Sequence, residues 1–149
     1  MISRTPGRLR LSLCLLSANL LFIWGNSLLP ASVSGAVSGG VRALLWFLPS
    51  PQEGAAAGEG ILRKTAHLLE FSLLGGLLSW LFGMLRQKKW AFVLPALGCG
   101  CLTACIDELL QHFAPGRSPQ FSDVLIDISG VLLGILLFFA GYFIYKKKK

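Results

Sequence analysis

Acidic side chains within apolar stretches are the feature of this sequence that points most directly to chemistry. Of the seven acids in the chain, five fall in or beside hydrophobic runs: Glu70, Asp107, Glu108, Asp123 and Asp127. A charged acid at the centre of a bilayer costs about 2.5–3.5 kcal/mol, so such residues usually have a function or a partner. Carboxylates that converge can serve as a general acid beside a general base, or they can ligate a divalent cation through oxygen.

Two further residue types extend this set. His67 titrates near neutral pH and can therefore carry protons, and Gln111 follows Asp107 by one helical turn. We predict the following catalytic residues: His67, Glu70, Asp107, Glu108, Gln111, Asp123 and Asp127. No metal ligands are assigned. The cofactor is left unknown, with a divalent cation at the acidic cluster as an alternative.

Basic and amide side chains offer contacts for a substrate. Arg117 follows the Pro115-Gly116 turn, and its planar guanidinium can bind a phosphate or carboxylate through two parallel hydrogen bonds. Lys64 precedes His67 by one helical turn, and Asn26 lies at the end of the first apolar run. We predict Lys64, Arg117 and Asn26 as substrate-binding residues. A basic rim over an acidic interior suits an anionic head group.

The four cysteines all lie in apolar runs: Cys14, Cys99, Cys101 and Cys105. Cys101 and Cys105 share a predicted helical face with Glu108 and His112, which is a spacing that a metal ion could use. We favour ordinary packing instead, because buried thiols in apolar surroundings behave as small, inert side chains.

The composition places these residues in a membrane. The chain is 54% hydrophobic, has a mean hydropathy of +0.65 and carries 14% charged residues, whereas soluble domains carry about 25%. Apolar runs of spanning length predict transmembrane helices at about 11–29, 63–85, 90–113 and 123–145. We therefore predict an all-α integral membrane protein, in which residues 1–149 form a single four-transmembrane-helix bundle that contacts membrane lipid.

The segment between the first two predicted spans has a different character. Residues 31–62 are rich in Ser, Gly and Ala, and they contain the short apolar stretch VRALLWFL. This stretch is too short to cross a bilayer, and Trp46 and Phe47 beside Arg42 are typical of the membrane interface. We predict an interfacial or re-entrant segment after the first helix.

Small and polar residues recur on one face of two predicted helices. Ser12, Asn19 and Asn26 are seven residues apart and form a stripe on the first helix, which favours contacts between helices over a direct ligand role. The fourth helix carries a second stripe, which includes a GxxxG pair that lets another helix approach closely. Its members are Asp123, Asp127, Gly130, Gly134 and Gly141.

Charge placement predicts the topology. The net charge is +7, and basic residues cluster before the first span, at 86–89 and at 146–149. Because basic loops stay on the cytoplasmic side, we expect cytoplasmic termini and outward-facing loops at 31–62 and 114–122. The acidic, His and Arg side chains would then converge on a pocket that opens outward. No aromatic-basic platform accompanies the charge, so nucleic-acid binding is not expected.

Four ordered blocks of the sequence resemble the VanZ-like membrane family. They are Lys64-Thr-Ala-His67-Leu-Leu-Glu70-Phe71, Asp107-Glu108-Leu-Leu-Gln111, Pro115-Gly116-Arg117 and Asp123-Val-Leu-Ile-Asp127-Ile-Ser-Gly130. The resemblance implies a multi-pass protein of the bacterial cytoplasmic membrane, in a family named for low-level resistance to the glycopeptide teicoplanin. It transfers no catalytic residues. Phe71 stands where we expect Tyr in many members, which implies that a hydroxyl is dispensable there.

Three functions are compatible with this pattern, and the sequence leaves open whether a reaction is catalysed. The first is an enzyme or binding protein for a cell-envelope lipid or lipid-linked wall precursor, with Asp107 or Glu108 as base or cation ligand and Arg117 as anion contact. The second is a small ion- or proton-coupled transporter with a relay of acids. The third is a structural membrane partner protein, in which pairs such as Arg117 with Asp123 or Arg63 with Glu70 orient the helices. The oligomeric state is not predicted.

Overall fold

The structure, a computed structural model, describes residues 5–34, 36, 55–85 and 90–147. The regular structure of this part of the chain is α-helical and contains four long helices: α1 (Pro6–Leu28), α2 (Ala55–Leu85), α3 (Val93–Gln111) and α4 (Phe121–Lys147). Each helix contains a stretch long and apolar enough to cross a membrane, which in α2 is Gly60–Leu85. The predicted all-α, four-helix membrane architecture is confirmed. Most of the predicted interfacial or re-entrant segment lies outside the described residues.

Local sequence signals explain where two helices begin. Pro6 lies in the first turn of α1, where a proline is favoured because its missing N–H would have no partner and its φ suits a helix. This helix therefore begins before the predicted position 11. Residues 90–92 form a turn, so α3 begins at Val93 rather than at residue 90.

The most extensive contact between helices in the bundle is between α2 and α4. A methyl group at Gly130 would lie 2.6 Å from the carbonyl oxygen of Leu68 and 2.9 Å from Cβ of Phe71. A methyl group at Gly134 would overlap the carbonyl oxygen of Ser72. The GxxxG pair therefore lets two backbones meet where no side chain would fit, as small residues do at membrane helix interfaces. A methyl group at Gly141 would have no neighbouring atom within 4 Å, so Gly141 takes no part in this contact.

We call the contact of α2 with Gly130 and Gly134 of α4 the glycine seam. The third helix, α3, packs onto it. Val131 is fully buried between glycines of two helices, because its backbone faces Gly75 of α2 and its methyl groups face Gly100 of α3. Other buried apolar residues continue this core along the bundle: Ile23, Phe71, Leu74, Leu78, Phe92, Ala96, Ala104 and Ile135. The seam therefore fixes the rotation of α2, α3 and α4 about their axes.

Two connections meet at one end of the bundle. The backbone N–H of Ala31, after α1, donates to the carbonyl oxygen of Pro115, after α3, at 3.1 Å. Gly116 adopts φ of +75°, a left-handed conformation that glycine tolerates and that turns the chain after α3. We call this end of the bundle the site end. It consists of the C-terminal ends of α1 and α3 and the N-terminal parts of α2 and α4.

Candidate functional site

Three ionisable side chains from three helices meet at the site end. Nδ1 of His67, on α2, lies 3.1 Å from Oδ1 of Asp127 on α4 and 3.8 Å from Oδ2 of Asp107 on α3. Both aspartates are fully buried, and His67 is 8% exposed. We call these three residues the acid–histidine cluster. The glycine seam accounts for their proximity, because it brings α2 and α4 together one turn away from Asp127.

A second group of side chains orients the cluster. Ser27 of α1 donates from its hydroxyl to Oδ1 of Asp107 at 2.5 Å, and Gln111 donates from Nε2 to Oδ2 of Asp107 at 3.1 Å. Arg63 donates to the amide oxygen of Gln111, which leaves the amide nitrogen of Gln111 facing Asp107. Asp107 is therefore held by donors from two helices.

Glu70 lies beside the cluster without joining it. Asn26 of α1 donates from Nδ2 to Oε1 of Glu70 at 3.2 Å, and Glu70 is half-buried. The predicted polar stripe of α1 thus faces the protein, with Ser12 and Asn19 also buried. The partner of Glu70 is an amide rather than the predicted Arg63.

Glu108 faces the loop that leads into α4. Its Oε1 accepts a hydrogen bond from the backbone N–H of Gln120, immediately before α4 begins. Its Oε2 is buried without a hydrogen-bond partner among the described residues. Although Glu108 adjoins Asp107 in sequence, a rotation of about 100° per residue turns it away from His67. Glu108 therefore fixes the loop, and a role as base or cation ligand stays a prediction.

Basic side chains form the edge of the site. A terminal nitrogen of Arg63 lies 3.7 Å from Oδ2 of Asp123 in the first turn of α4. Arg117 is half-buried, and its Nε has no hydrogen-bond partner in the described part of the chain. Burial, followed by the nearby charge of Arg63, lowers the pKa of Arg117, while Asp107 and Glu108 oppose that shift. Lys64 is exposed at the surface.

Neither of the two ion pairs named as examples for the structural alternative is formed. Asp123 pairs with Arg63 rather than with Arg117, and Glu70 bonds to Asn26 rather than to Arg63. The reason is geometric: Arg63 and Asp123 both lie in N-terminal parts of neighbouring helices, whereas Arg63 and Glu70 are separated by two turns of one helix, about 10 Å along its axis.

The site is nearly closed within the described residues. A narrow cleft leads toward His67, too narrow to admit a water molecule. The cleft is lined by Arg63, Lys64, His67, Asp123 and Ile126. A ligand that entered by this cleft would therefore have to separate the side chains of Arg63 and Asp123.

Cysteines take no part in the site. Cys14, Cys99 and Cys105 are exposed on the surface of the bundle, and Cys101 is half-buried. His112 is also exposed. The expectation that all four thiols pack inside the protein is wrong, because the face of α3 that carries Cys105 and His112 points away from the other helices.

Sequence reasoning missed two members of the site, because it did not select Ser27 at all and named Arg63 only as a structural partner of Glu70, whereas Arg63 contacts Gln111 and Asp123. Ser27 is 1% exposed and bonds directly to Asp107, yet only its neighbour Asn26 was selected from the spacing of polar residues. A serine in the last turn of an apolar helix was the available signal. Of the predicted residues, His67, Asp107, Asp127 and Gln111 meet directly. Glu70, Asn26 and Asp123 surround them, Glu108 and Arg117 lie toward the loop, and Lys64 lies outside.

The fold and the site together define a class of protein: a multi-pass α-helical membrane protein with a buried acid–histidine cluster at one end of its bundle. Residues 13–144 match the VanZ/LLP1 family, which covers nearly the whole chain. The protein therefore belongs to the VanZ/LLP1 family. Neither a curated protein nor a solved structure matches the chain.

Proposed function

We propose that this protein binds, at its site end, the phosphate-bearing head group of a cell-envelope lipid or lipid-linked wall precursor in the outer leaflet of the bacterial cytoplasmic membrane. This binding would contribute to resistance to glycopeptides such as teicoplanin, in keeping with the family resemblance. The observation that carries the proposal is the combination of a basic edge and a buried acid–histidine cluster at one end of a membrane bundle.

The basic edge supplies the anion contact. Arg63 and Arg117 each retain a buried Nε without a hydrogen-bond partner in the described residues, and guanidinium groups are suited to bidentate contacts with phosphate. A phosphate that entered between Arg63 and Asp123 would reach the cleft that ends at His67. The side chains of His67 and Asp107 would then be available for proton transfer to the bound group.

A transport function is less well supported. Among the described side chains, the buried acids and histidine belong to the site end: His67, Asp107, Glu108, Asp123 and Asp127. A proton or ion pathway needs groups along the whole membrane. The buried hydroxyls away from the site end belong to Ser12, Ser79 and Thr103. Each donates to a carbonyl oxygen of its own helix and offers no relay.

Topology decides whether the site faces outward. The chain with a single engineered cysteine at Gln120, in a background without its native cysteines, should react with an impermeant thiol reagent added to intact cells. A reporter fused after residue 149 should remain cytoplasmic. Labelling of Gln120→Cys only after permeabilisation would place the site end on the cytoplasmic side and remove the outer-leaflet proposal.

Direct binding is tested with the purified full-length protein in lipid nanodiscs. Undecaprenyl phosphate and phosphatidylglycerol are offered separately, with phosphatidylcholine as the zwitterionic comparison, and bound lipid is counted by native mass spectrometry. Preference for undecaprenyl phosphate supports a lipid-linked precursor, and preference for phosphatidylglycerol supports an envelope phospholipid. Equal binding of all three contradicts the proposal. Recovery of the lipid unchanged or hydrolysed separates a binding protein from an enzyme.

A further inference from the structure

The acid–histidine cluster has the donor types and the spacing of a metal site. One nitrogen and two carboxylate oxygens, from His67, Asp107 and Asp127, lie within 4.8 Å of one another. Two ligands that bind one metal ion at about 2.1 Å stand about 3–4 Å apart, depending on the angle between them. The distances from Nδ1 of His67 to the two carboxylates, 3.1 and 3.8 Å, fall in that range.

An independent observation concerns Asp127. This residue is fully buried, and its Oδ2 has no hydrogen-bond partner in the described residues. A buried carboxylate oxygen without a donor is costly, because the solvation that it loses is not replaced. Oδ1 of the same carboxylate faces Nδ1 of His67, so a cation bound through both oxygens of Asp127 would give Oδ2 the partner that it lacks.

Charge leads to the same conclusion. Asp107 and Asp127 carry two negative charges when ionised, which one divalent ion balances. Arg63 is directed to Gln111 and Asp123 rather than to these two carboxylates, and Arg117 attracts Asp107 electrostatically without forming a salt bridge with it. Within the described residues, the cluster therefore has no arginine or lysine at salt-bridge distance, and its ion-pair partner is His67 when protonated.

The surrounding side chains support ligand geometry. Ser27 and Gln111 hold the two oxygens of Asp107 from two helices, and Arg63 fixes the amide of Gln111. Outer partners of this kind orient ligands in metal sites and affect affinity strongly. These hydrogen bonds fix the orientation of the Asp107 carboxylate, and they thereby set the direction in which its remaining lone pairs can bind a metal ion.

We propose that His67, Asp107 and Asp127 bind one divalent transition-metal ion, for which Mn²⁺ is the best match. Carboxylates suit Mg²⁺, Ca²⁺ and Mn²⁺, whereas imidazole suits transition metals, so the mixed set favours Mn²⁺ among the hard cations. Three protein ligands leave coordination positions open, and the cleft beside Arg63 and Asp123 leads to them. If the site end binds a phosphate-bearing head group as proposed above, the ion would hold one of its phosphate oxygens.

Mn²⁺ alone is the probe, and the full-length protein is used in a detergent without phosphate. The protein is stripped with a chelator, dialysed and titrated with Mn²⁺, and free Mn²⁺ is followed by electron paramagnetic resonance. We expect one saturable site per chain. Thiolates are soft ligands that prefer other metals, so the exposed cysteines interfere least with this ion. Absence of saturable binding to the parent protein overturns the proposal.

Variants locate the site. Loss of a residue that hydrogen-bonds to a metal ligand typically weakens metal binding by about 10–100-fold. We therefore expect Ser27→Ala to weaken Mn²⁺ binding by about tenfold, and His67→Gln and Asp127→Asn, which remove ligands, to weaken it by more than about 100-fold. The chain has two histidines, so His112→Gln, at an exposed position, is the matched control and should retain the parent affinity. Parent affinity in His67→Gln contradicts the proposal.

Two safeguards make each outcome informative. Gel filtration establishes that each variant is folded, and if Asp127→Asn does not fold, the parent titration and Ser27→Ala decide. The titration contains no lipid, so it is independent of the head-group proposal. Lipid binding that survives chelation while Mn²⁺ fails to bind rejects the metal site alone. Saturable Mn²⁺ binding with no lipid preference rejects the head-group function alone.

Discussion

The two ends of the bundle differ in the side chains that join their helices. At the site end, hydrogen bonds connect four helices through Ser27, Asn26, Arg63, His67, Gln111 and the buried acids. At the opposite end, aromatic rings join the turn before α3 to α4: Trp90 stacks on Phe139 with centroids 4.4 Å apart, and Phe92 meets Phe138 edge to face at 5.6 Å. The glycine seam lies between the two ends.

The difference is the reason that we propose a function for the site end. An aromatic contact tolerates small shifts and needs no desolvation of charge. Buried acids are the opposite case, since removal of one partner leaves another unsatisfied at a cost of about 3–5 kcal/mol. A bundle that needed only stability would be as well served by apolar packing at both ends. The polar network therefore favours our proposal that the site end binds a ligand, and the variants below test that proposal against a purely structural network.

The largest stability effect should come from the seam that holds both ends in place. Gly134→Leu places a side chain where the carbonyl oxygen of Ser72 lies, so α2 and α4 must separate. We expect a loss of about 3 kcal/mol or more, at or beyond the upper end for overpacking, measured as thermal unfolding in detergent. Gly141→Leu, on the same helix with open space around it, is the control. Equal stability of the two variants would show that the seam is not formed.

The next effect distinguishes the ends directly. Asp107→Asn keeps the volume of the side chain but presents an amide to the donors from Ser27 and Gln111. We expect a loss of stability of about 1–3 kcal/mol, because one donor then lacks an acceptor. Teicoplanin resistance per folded molecule should fall at least about tenfold if the proposed function is correct. Phe92→Leu at the opposite end should cost on the order of 1 kcal/mol with resistance unchanged. If Asp107→Asn retains the parent resistance per folded molecule, the network is scaffolding.

Arg117→Lys should separate function from stability. The lysine keeps the positive charge, but a single ammonium cannot make two parallel bonds to a phosphate. We expect a several-fold loss of lipid binding in nanodiscs and an unfolding temperature within error of the parent. Arg10→Lys, at an exposed position on α1, should change neither quantity. A drop in unfolding temperature equal to that of Asp107→Asn would assign Arg117 to the structural network instead.

Glu108→Gln should have the smallest effect of the four. The amide oxygen of the new glutamine can still accept a hydrogen bond from the backbone N–H of Gln120. This hydrogen bond becomes weaker by about 1 kcal/mol, because the acceptor no longer carries a charge. Resistance per folded molecule should stay close to that of the parent. Complete loss of resistance with normal folding would make Glu108, rather than Asp107, the functional acid.

Hydropathy and charge were sufficient to predict the membrane architecture. A helix in lipid must satisfy its own backbone hydrogen bonds, so each spanning segment forms largely independently of its neighbours and is visible as an apolar run. The Gly130 and Gly134 pair was also predictable, because close packing needs small residues at helical spacing. Most of the residues that meet at the site end were selected for the same reason: a polar group at membrane depth stands out against its surroundings.

Only the tertiary structure decided which of these residues are partners. Asp107 and Glu108 are adjacent in the sequence and identical in charge, yet the first faces His67 and the second faces the loop at Gln120. Arg63 bonds to Gln111 and Asp123 on two other helices rather than to Glu70 on its own. These choices depend on how far each helix is rotated about its axis, and that rotation is set by contacts such as the one between Gly134 and Ser72, which join residues far apart in the chain.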